Sequence, residues 1–354
     1  MINKFIRDED MIKIWRRKKW IVPVTVTCCL CCYILLIIHV FGENEIVLGS
    51  GKPIDIRDVK PFEPVLDEDF PTISGRYPRI PKIIHQTWKD VIIPAAFHEN
   101  VRSFVTLNPD FEYYFWTDAS ARELLVERYP ELLYTYDNYV EPVRKADLLR
   151  YVVLHEFGGV YADLDTICLR YLGRVLNKYS CVISPEPYEH ASLIYNSMFM
   201  VTNSIMFCRQ HHPFLRKLMY ELPSFSHFSQ DIDASGPNFL SYQLNNYRKE
   251  LKARHKINEL DDNYVYIPSS QYFQNEIDPV RFNQFRKMCR NFMKLNIIGR
   301  LGCVSLKRRG MVQRTSSEYT FTKHSFYHTG YKWVQSSSVN ITDLVPYVSI
   351  FKSV

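Results

Sequence analysis

The order of apolar and polar runs along the chain predicts an α/β fold, a largely parallel sheet covered by helices on both faces. Three observations carry that expectation. Short apolar and aromatic runs that suit buried strands, RIPKIIHQTW at 79–88 and FEYYFW at 111–116, alternate with stretches of helical period. The longest helical stretch, PVRKADLLRYVVLHEFGG at 142–159, runs into a glycine pair and then a short apolar segment. The composition, 46% apolar and 14% aromatic over 354 residues, is ample for a large core.

In chain order, residues 1–19 form a short polar segment ending in Arg16, Arg17, Lys18 and Lys19. Residues 20–41 follow as a mostly apolar run, long enough as one helix to cross a hydrocarbon core of about 30 Å. The cations before it and the neutral-to-acidic stretch after it place the N-terminus in the cytoplasm and the rest outside or in a lumen. No small-residue cleavage site follows Val40, so the run reads as a retained anchor rather than a signal peptide. Residues 42–78 carry Pro53, Pro61, Pro64, Pro71 and Pro78 without sustained period and read as a stem. The main domain is expected over 79–335, with a tail at 336–354.

Within that domain the strand at 79–88 is followed by a helix in FHENVRSFVTLNP, which ends at a proline. After the strand at 111–116, Thr117 or Asp118 can cap a helix in ASARELLVERYP. Pro142 suits the first turn of the next helix, whose expected buried stripe is Val143, Ala146, Leu149, Val153 and Leu154. VYADLD then reads as a strand carrying two aspartates at its end, where ligands of open α/β sheets sit. Beyond residue 170 the alternation blurs, apart from helical stretches at 213–222 and 237–253.

Cys28, Cys29, Cys31 and Cys32 lie in the apolar run. Cys168, Cys181, Cys208, Cys289 and Cys303 remain, allowing at most two intrachain disulfides and one free thiol in a compartment where disulfides persist. The net charge of +6 sits in short runs and gives no argument for nucleic acid.

On an extended chain, residues i and i+2 point the same way, so Asp163 and Asp165 can aim both carboxylates at one point with Leu164 turned inward. Two hard anionic ligands suit Mn²⁺ or Mg²⁺, which share their shell with phosphates. Upstream, Asp147 and Arg150 stand one helical turn apart on one face, with Arg144 placed to join them. Such a pair could grip sugar hydroxyls and a phosphate oxygen.

IPKIIHQTWKD, YFWTD, VRKADLLRYVVLHEFGGVYADLDT and SGPNFL resemble the glycosyltransferases with a D-x-D sugar-binding region, carbohydrate-active family 32, and are nearest to the inositol phosphoceramide mannosyltransferases. The resemblance covers roughly residues 79–245, and Asp147, Arg150, Gly158, Gly159, Asp163 and Asp165 fall at family spacing. It implies a GT-A fold, a nucleotide-sugar donor, and a divalent metal held between the donor diphosphate and the D-x-D. Asp147 and Arg150 would then contact the donor sugar. Asp163 would serve ribose, sugar or metal, and Asp165 the metal. His85, Gln86, Thr87 and Trp88 would line the nucleotide pocket, Trp88 having the chemistry to stack on a base. His328, beside Trp333, is the expected further metal or phosphate contact, with His324 as runner-up. The loop at Gly236 and Pro237 would face the acceptor, and Lys307, Arg308 and Arg309 could meet an anionic head group.

The expected activity is metal-dependent, retaining transfer of a hexose, mannose from GDP-mannose first, to a membrane glycolipid such as inositol phosphoceramide. The same D-x-D would serve UDP-sugar-dependent galactosyl, glucosyl or N-acetylglucosaminyl transfer, or mannosyl transfer to N-glycans. A catalytically silent, membrane-anchored lectin or assembly partner is the non-enzymatic alternative. With one anchor, a stem and the sequon Asn340-Ile341-Thr342, the layout is that of a Golgi type II membrane protein, and it is compatible with a homo- or hetero-oligomer.

Overall fold

The computed structural model describes residues 45–47, 53–55, 65–72, 78–254, 258–313, 317–327 and 337–352. The expected anchor at 20–41 lies outside them. Among the described residues no helix is long and apolar enough to cross a membrane.

The centre is a five-stranded sheet made of β1 (Ile83–Thr87), β3 (Glu112–Trp116), β4 (Gly159–Ala162), β6 (Cys181–Pro185) and β7 (Val201–Cys208), in the order β3-β1-β4-β7-β6. β1 pairs in parallel with β3 and β4, whereas β7 runs antiparallel to both β4 and β6. The sheet is therefore mixed rather than largely parallel, with two pairings of each kind. The reversal at β7 brings its first residues beside the carboxyl ends of β4 and β6. Short strands β2 (Ile92–Pro94) and β5 (Thr166–Cys168) pair outside this sheet with β9 (Ser338–Asn340) and β8 (Thr322–His324).

Both faces of the sheet are covered. One carries α1 (His98–Leu107), whose Val101 and Phe104 join Ile84, Tyr113, Phe115, Val160 and Phe207 in one apolar cluster. The other carries α2 (Asp118–Arg128), α3 (Pro130–Asn138), α4 (Pro142–Phe157), α6 (Pro213–Phe225) and α8 (Pro237–Arg254), around Trp116, Tyr161, Met206 and Leu218. A smaller cluster joins α5 (Tyr188–Ile194), α9 (Pro279–Arg290) and α10 (Ile297–Arg308) through Leu193, Phe285 and Leu306.

Local rules explain the boundaries. Thr117 accepts the Ser120 amide and the Ser120 hydroxyl accepts the Thr117 amide, a reciprocal cap at the start of α2. Pro142 occupies the first turn of α4, and Gly158 ends that helix with φ 68°. The buried surface of α4 differs from the expected stripe. Leu149, Val153 and Leu154 are buried, but so are Arg144, Asp147 and Arg150, while Val143 and Ala146 are half-buried. The polar face of α4 is turned inward because β7 and the loop before α8 cover it. Disulfides join Cys181 to Cys208 and Cys289 to Cys303, and Cys168 is a buried free thiol whose pKa burial raises to about 11.

Candidate active site

β4 stops at Ala162, and Asp163–Asp165 form a turn closed by the Thr166 amide donating to the Asp163 carbonyl (2.9 Å). The two aspartates thus converge through a turn rather than along an extended strand. Leu164 between them is buried, as expected. The Asp163 amide donates to the Ser204 carbonyl (2.9 Å), which pins the turn to β7.

Behind the turn lies a buried charge cluster. Arg150 reaches Asp147 (3.0 Å) and Asp163 (3.4 Å) with the same nitrogen, and its other terminal nitrogen donates to the Asn203 carbonyl (2.6 Å). Its guanidinium also stands 4.6 Å from the centre of the Tyr161 ring, whose hydroxyl donates to Asp163 (2.9 Å). Asp147 accepts from the Asn203 amide (2.8 Å) and the Ser235 hydroxyl (2.6 Å). Burial lifts the Asp147 carboxyl to about 6 against the pull of Arg150. Arg150 itself is held above its ordinary value: burial opposes its charge, and the charges of Asp163, Tyr161 and Asp147 outweigh burial.

In front of the turn, His324 at the end of β8 places Nε2 3.1 Å from Asp165. The Tyr327 amide donates to the other Asp165 oxygen (3.0 Å), and the Ser325 amide to the Asp165 carbonyl (2.8 Å). Ligand atoms of Asp163, Asp165 and His324 all lie within 4.8 Å of one another. Burial raises the Asp163 pKa, and the Asp165 charge adds to that rise although Arg150 opposes it. Burial would also raise Asp165, but His324 and the Tyr327 amide hold it below its ordinary value. Burial would lower His324, and Asp165, Asp163 and Glu186 outweigh it, raising its pKa to about 9. Two mutually repelling carboxylates with an imidazole beside them fit a divalent cation that accepts oxygen and nitrogen ligands.

The expected site residues therefore divide. Asp147, Arg150, Asp163 and Asp165 come together. His328 and Trp333 lie outside the described residues, and His324 meets the aspartates. Arg144 does not join Asp147: it binds Asp231 (2.7 Å) and the Ser226 and Ser229 carbonyls, tying down the loop before α7 (Asp231–Ala234). His85 is fully buried behind the site. The Trp116 indole donates to its Nδ1 (3.1 Å), which leaves Nε2–H to donate to the Gly158 carbonyl (2.8 Å). Gln86 is also buried, accepting from Tyr113 and donating to the Asp163 carbonyl. Thr87 donates to the Trp116 carbonyl. Trp88 is half-buried against Phe97, which touches Tyr327, so an aromatic run leads from Trp88 to the segment that binds Asp165.

The SGPNFL loop turns toward Asp147 through Ser235. Arg309 pairs with the buried Glu189 (3.2 Å), whereas Lys307 and Arg308 are exposed. Asn203 and Tyr161 went unnoticed in the sequence. Tyr161 had a signal, two positions before Asp163, but Asn203 arrives only through the antiparallel register of β7. A second group, His155, Glu156 and His211, gathers at the opposite end of α4. There Arg128 (2.6 Å) and Tyr129 (2.7 Å) already hold Glu156, which makes it an ion-paired network.

Residues 94–183 match the family described as glycosyltransferase sugar-binding region containing DXD motif. Inositol phosphoceramide mannosyltransferase 3 of Schizosaccharomyces pombe is 36% identical over 191 residues, 52% of this chain and 51% of that protein. A mannosyl phosphorylinositol ceramide synthase of Saccharomyces cerevisiae is 35% identical over 251 residues, 69% of this chain and 62% of that protein. The chain thus spans about half to three fifths of the length of these relatives. An initiation-specific alpha-1,6-mannosyltransferase of Candida albicans is 33% identical over 127 residues, 34% of this chain and 32% of that protein. Among solved structures the PaToxG glycosyltransferase aligns with TM-score 0.37 and 17% identity over 49% of this chain and 72% of that one, a likeness too low to bear on the fold. The chain therefore carries, over residues 94–183, the glycosyltransferase sugar-binding region that contains a DXD motif, and Asp163-Leu164-Asp165 is that motif.

Proposed function

We propose that this protein is a hexosyltransferase of GT-A type that moves a sugar from a nucleoside diphosphate donor to a hydroxyl of a membrane glycolipid. Mannose from GDP-mannose is the preferred donor reading, and inositol phosphoceramide the preferred acceptor. The observation that carries it is the continuous chain Asp147–Arg150–Asp163 beside Asp165–His324, at the carboxyl end of β4. A fixed cation, oriented acceptors and a cation-binding pair of carboxylates are what an anionic diphosphate bonded to a sugar requires. The names of the relatives supply the sugar and the lipid.

Asp163, Asp165 and His324 would hold a divalent cation, Mn²⁺ or Mg²⁺, that neutralises the departing diphosphate. The chain's own residues do the rest. Arg150 is fixed by Asn203, Tyr161 and Asp147, so its charge is oriented before substrate arrives. Asp147 is buried behind it with its oxygens taken by Arg150, Asn203 and Ser235, and so holds the guanidinium in place. Trp88, at the head of the aromatic run, offers a face for a nucleobase. Transfer is expected with retention by a front-face route, in which the leaving phosphate assists deprotonation of the acceptor. We place the domain in the Golgi lumen behind the anchor at 20–41.

The test is metal-dependent hydrolysis and binding of GDP-mannose, UDP-galactose, UDP-glucose and UDP-N-acetylglucosamine by the full chain, with Asp163→Ala and Asp165→Ala beside it. The expected outcome is turnover of GDP-mannose that falls at least about 100-fold in either variant. Preference for a UDP-sugar would discard the mannose reading. Full activity in both variants would discard the cation-binding pair, and silence with every donor would leave a non-enzymatic, lectin-like protein.

A further inference from the structure

Glu186 is the first residue past β6, as Asp163 is the first past β4. Only β7 lies between those two strands, and the Asp163 amide donates to the Ser204 carbonyl (2.9 Å) while the Glu186 amide donates to the Met200 carbonyl (2.9 Å), so both residues flank the start of β7 at the carboxyl ends of β4 and β6. There β7 contributes its first residues, and the Thr202 hydroxyl hydrogen-bonds the Ser204 hydroxyl (2.9 Å). Ser204 in turn accepts the Asp163 amide. Ser204 and Thr202 of β7 therefore form a polar floor between Asp163 and Glu186.

Glu186 is also fixed from behind. The Asp278 amide donates to Nε2 of His190 (3.0 Å), which leaves Nδ1–H to donate to Glu186 (2.8 Å). The carboxylate is only 11% exposed, and its pKa is nevertheless held low: burial would raise it, and His190, His324 and Thr202 outweigh burial. Its link to the D-x-D is also physical on the other side. The Phe326 ring stands edge-on to His190 (5.7 Å) and to His324 (4.5 Å), so the segment that binds Asp165 packs directly on the histidine that holds Glu186. A structural carboxylate would sit in a closed ion pair, as Glu189 does with Arg309. Glu186 has no such lysine or arginine partner among the described residues and is presented at the ligand-bearing edge of the sheet.

We propose that Glu186 is a further substrate-contacting residue of this site, a carboxylate that accepts hydrogen bonds from hydroxyls of the transferred sugar, and that His190 is its positioning residue. The inference rests on the glycosyltransfer reading. Asp163, Asp165 and His324 serve the diphosphate end of the donor, and Glu186 serves the sugar end. No bond is made or broken at Glu186: it orients the sugar across the polar floor from the departing phosphate.

The test separates the two ends of the donor. Hydrolysis of the nucleotide sugar is measured without acceptor, and binding of the free nucleoside diphosphate with Mn²⁺ by calorimetry, for the full chain and for Glu186→Gln, Glu186→Asp, His190→Ala and His190→Asn. Glu186→Gln is expected to lower kcat/KM for the nucleotide sugar about 10- to 100-fold, while diphosphate binding stays within about twofold. His190→Ala should follow it, and His190→Asn, whose amide can replace Nδ1–H, should recover most of the loss. Glu186→Asp keeps the charge but withdraws it by one methylene, and supplies the same comparison should the glutamine variant fail to fold. Unchanged kcat/KM in Glu186→Gln or Glu186→Asp, or a parallel loss of diphosphate binding, would overturn the assignment while leaving the glycosyltransfer reading intact. A wild-type protein that turns over no nucleotide sugar would overturn both.

Discussion

Arg150 shows how much of the site depends on single residues. Its guanidinium is buried with Asp147 at 3.0 Å and also reaches the half-buried Asp163 at 3.4 Å, so removing it leaves the buried Asp147 carboxylate without its cation. Arg150→Met should therefore destabilise the protein by about 3–5 kcal/mol in urea unfolding, well above the cost of an exposed ion pair. A change below about 1 kcal/mol would mean that Asp147 finds other compensation. His85 gives a second, pH-dependent prediction. Burial depresses its folded pKa to about 4, so above the ordinary value of 6.5 both folded and unfolded states hold it neutral. As pH falls from 6.5 toward 4 the unfolded chain takes up the proton first, and stability is lost at up to about 1.4 kcal/mol per pH unit. Asp147, raised to about 6, works in the opposite direction over much of that window. The readout is accordingly the difference between wild type and His85→Gln, whose amide can still donate to Gly158: the acid loss should be shallower in the variant. Equal slopes would show that His85 does not carry it.

At the scale of elements, the parts that were legible in the sequence are those set by local rules. Thr117, Pro142 and the glycine pair at 158–159 mark helix ends for reasons confined to a few neighbouring residues. Gly158 makes the point quantitatively. It has φ 68° and ψ −168°, and an added Cβ would lie 2.6 Å from the Gln210 amide nitrogen and 2.9 Å from Pro81. Gly158→Ala should cost more than about 2 kcal/mol, because neither the backbone angle nor the space is available to a side chain. The check is the unfolding midpoint, with a fall of less than about 0.5 kcal/mol counting against it. What was not legible depends on partners distant in sequence. VYADLD reads as a strand to its end because apolar residues lead into two aspartates flanking Leu164, yet the Thr166 amide closes on the Asp163 carbonyl and the chain turns. Asn203, Thr202 and Glu186 reach the site only because β7 runs antiparallel, which no local pattern encodes. Arg144 looked like a companion of Arg150 by helical spacing, but the loop at 226–231 takes it.

At the scale of the molecule, the last described residues complete the sheet that the site stands on. Ser349 donates to the Tyr113 carbonyl (2.9 Å) and accepts the Phe115 amide (2.9 Å), so it satisfies the outer edge of β3. Phe351 then stacks on Trp116 (5.7 Å), the residue whose indole holds His85 and whose carbonyl accepts from Thr87 and Trp88. From sequence this stretch reads as a separate tail, since an apolar run as short as PYVSIF gives no sign that it lies on a strand edge. An uncovered β3 would present unpaired amides and carbonyls beside an aromatic face, a template for association between copies. Deleting residues 349–354 removes two backbone hydrogen bonds, about 0.5–1.5 kcal/mol each, and the partial burial of one phenylalanine. The truncated chain should lose about 2–4 kcal/mol in urea unfolding and associate on standing, visible as concentration-dependent light scattering. Its diphosphate affinity, measured well below the unfolding midpoint, should stay within about threefold of wild type, because Asp163, Asp165 and Arg150 are held from β4, α4 and β7. Loss of diphosphate binding in a truncated protein that remains folded would instead show that the C-terminal residues act on the site directly through Trp116.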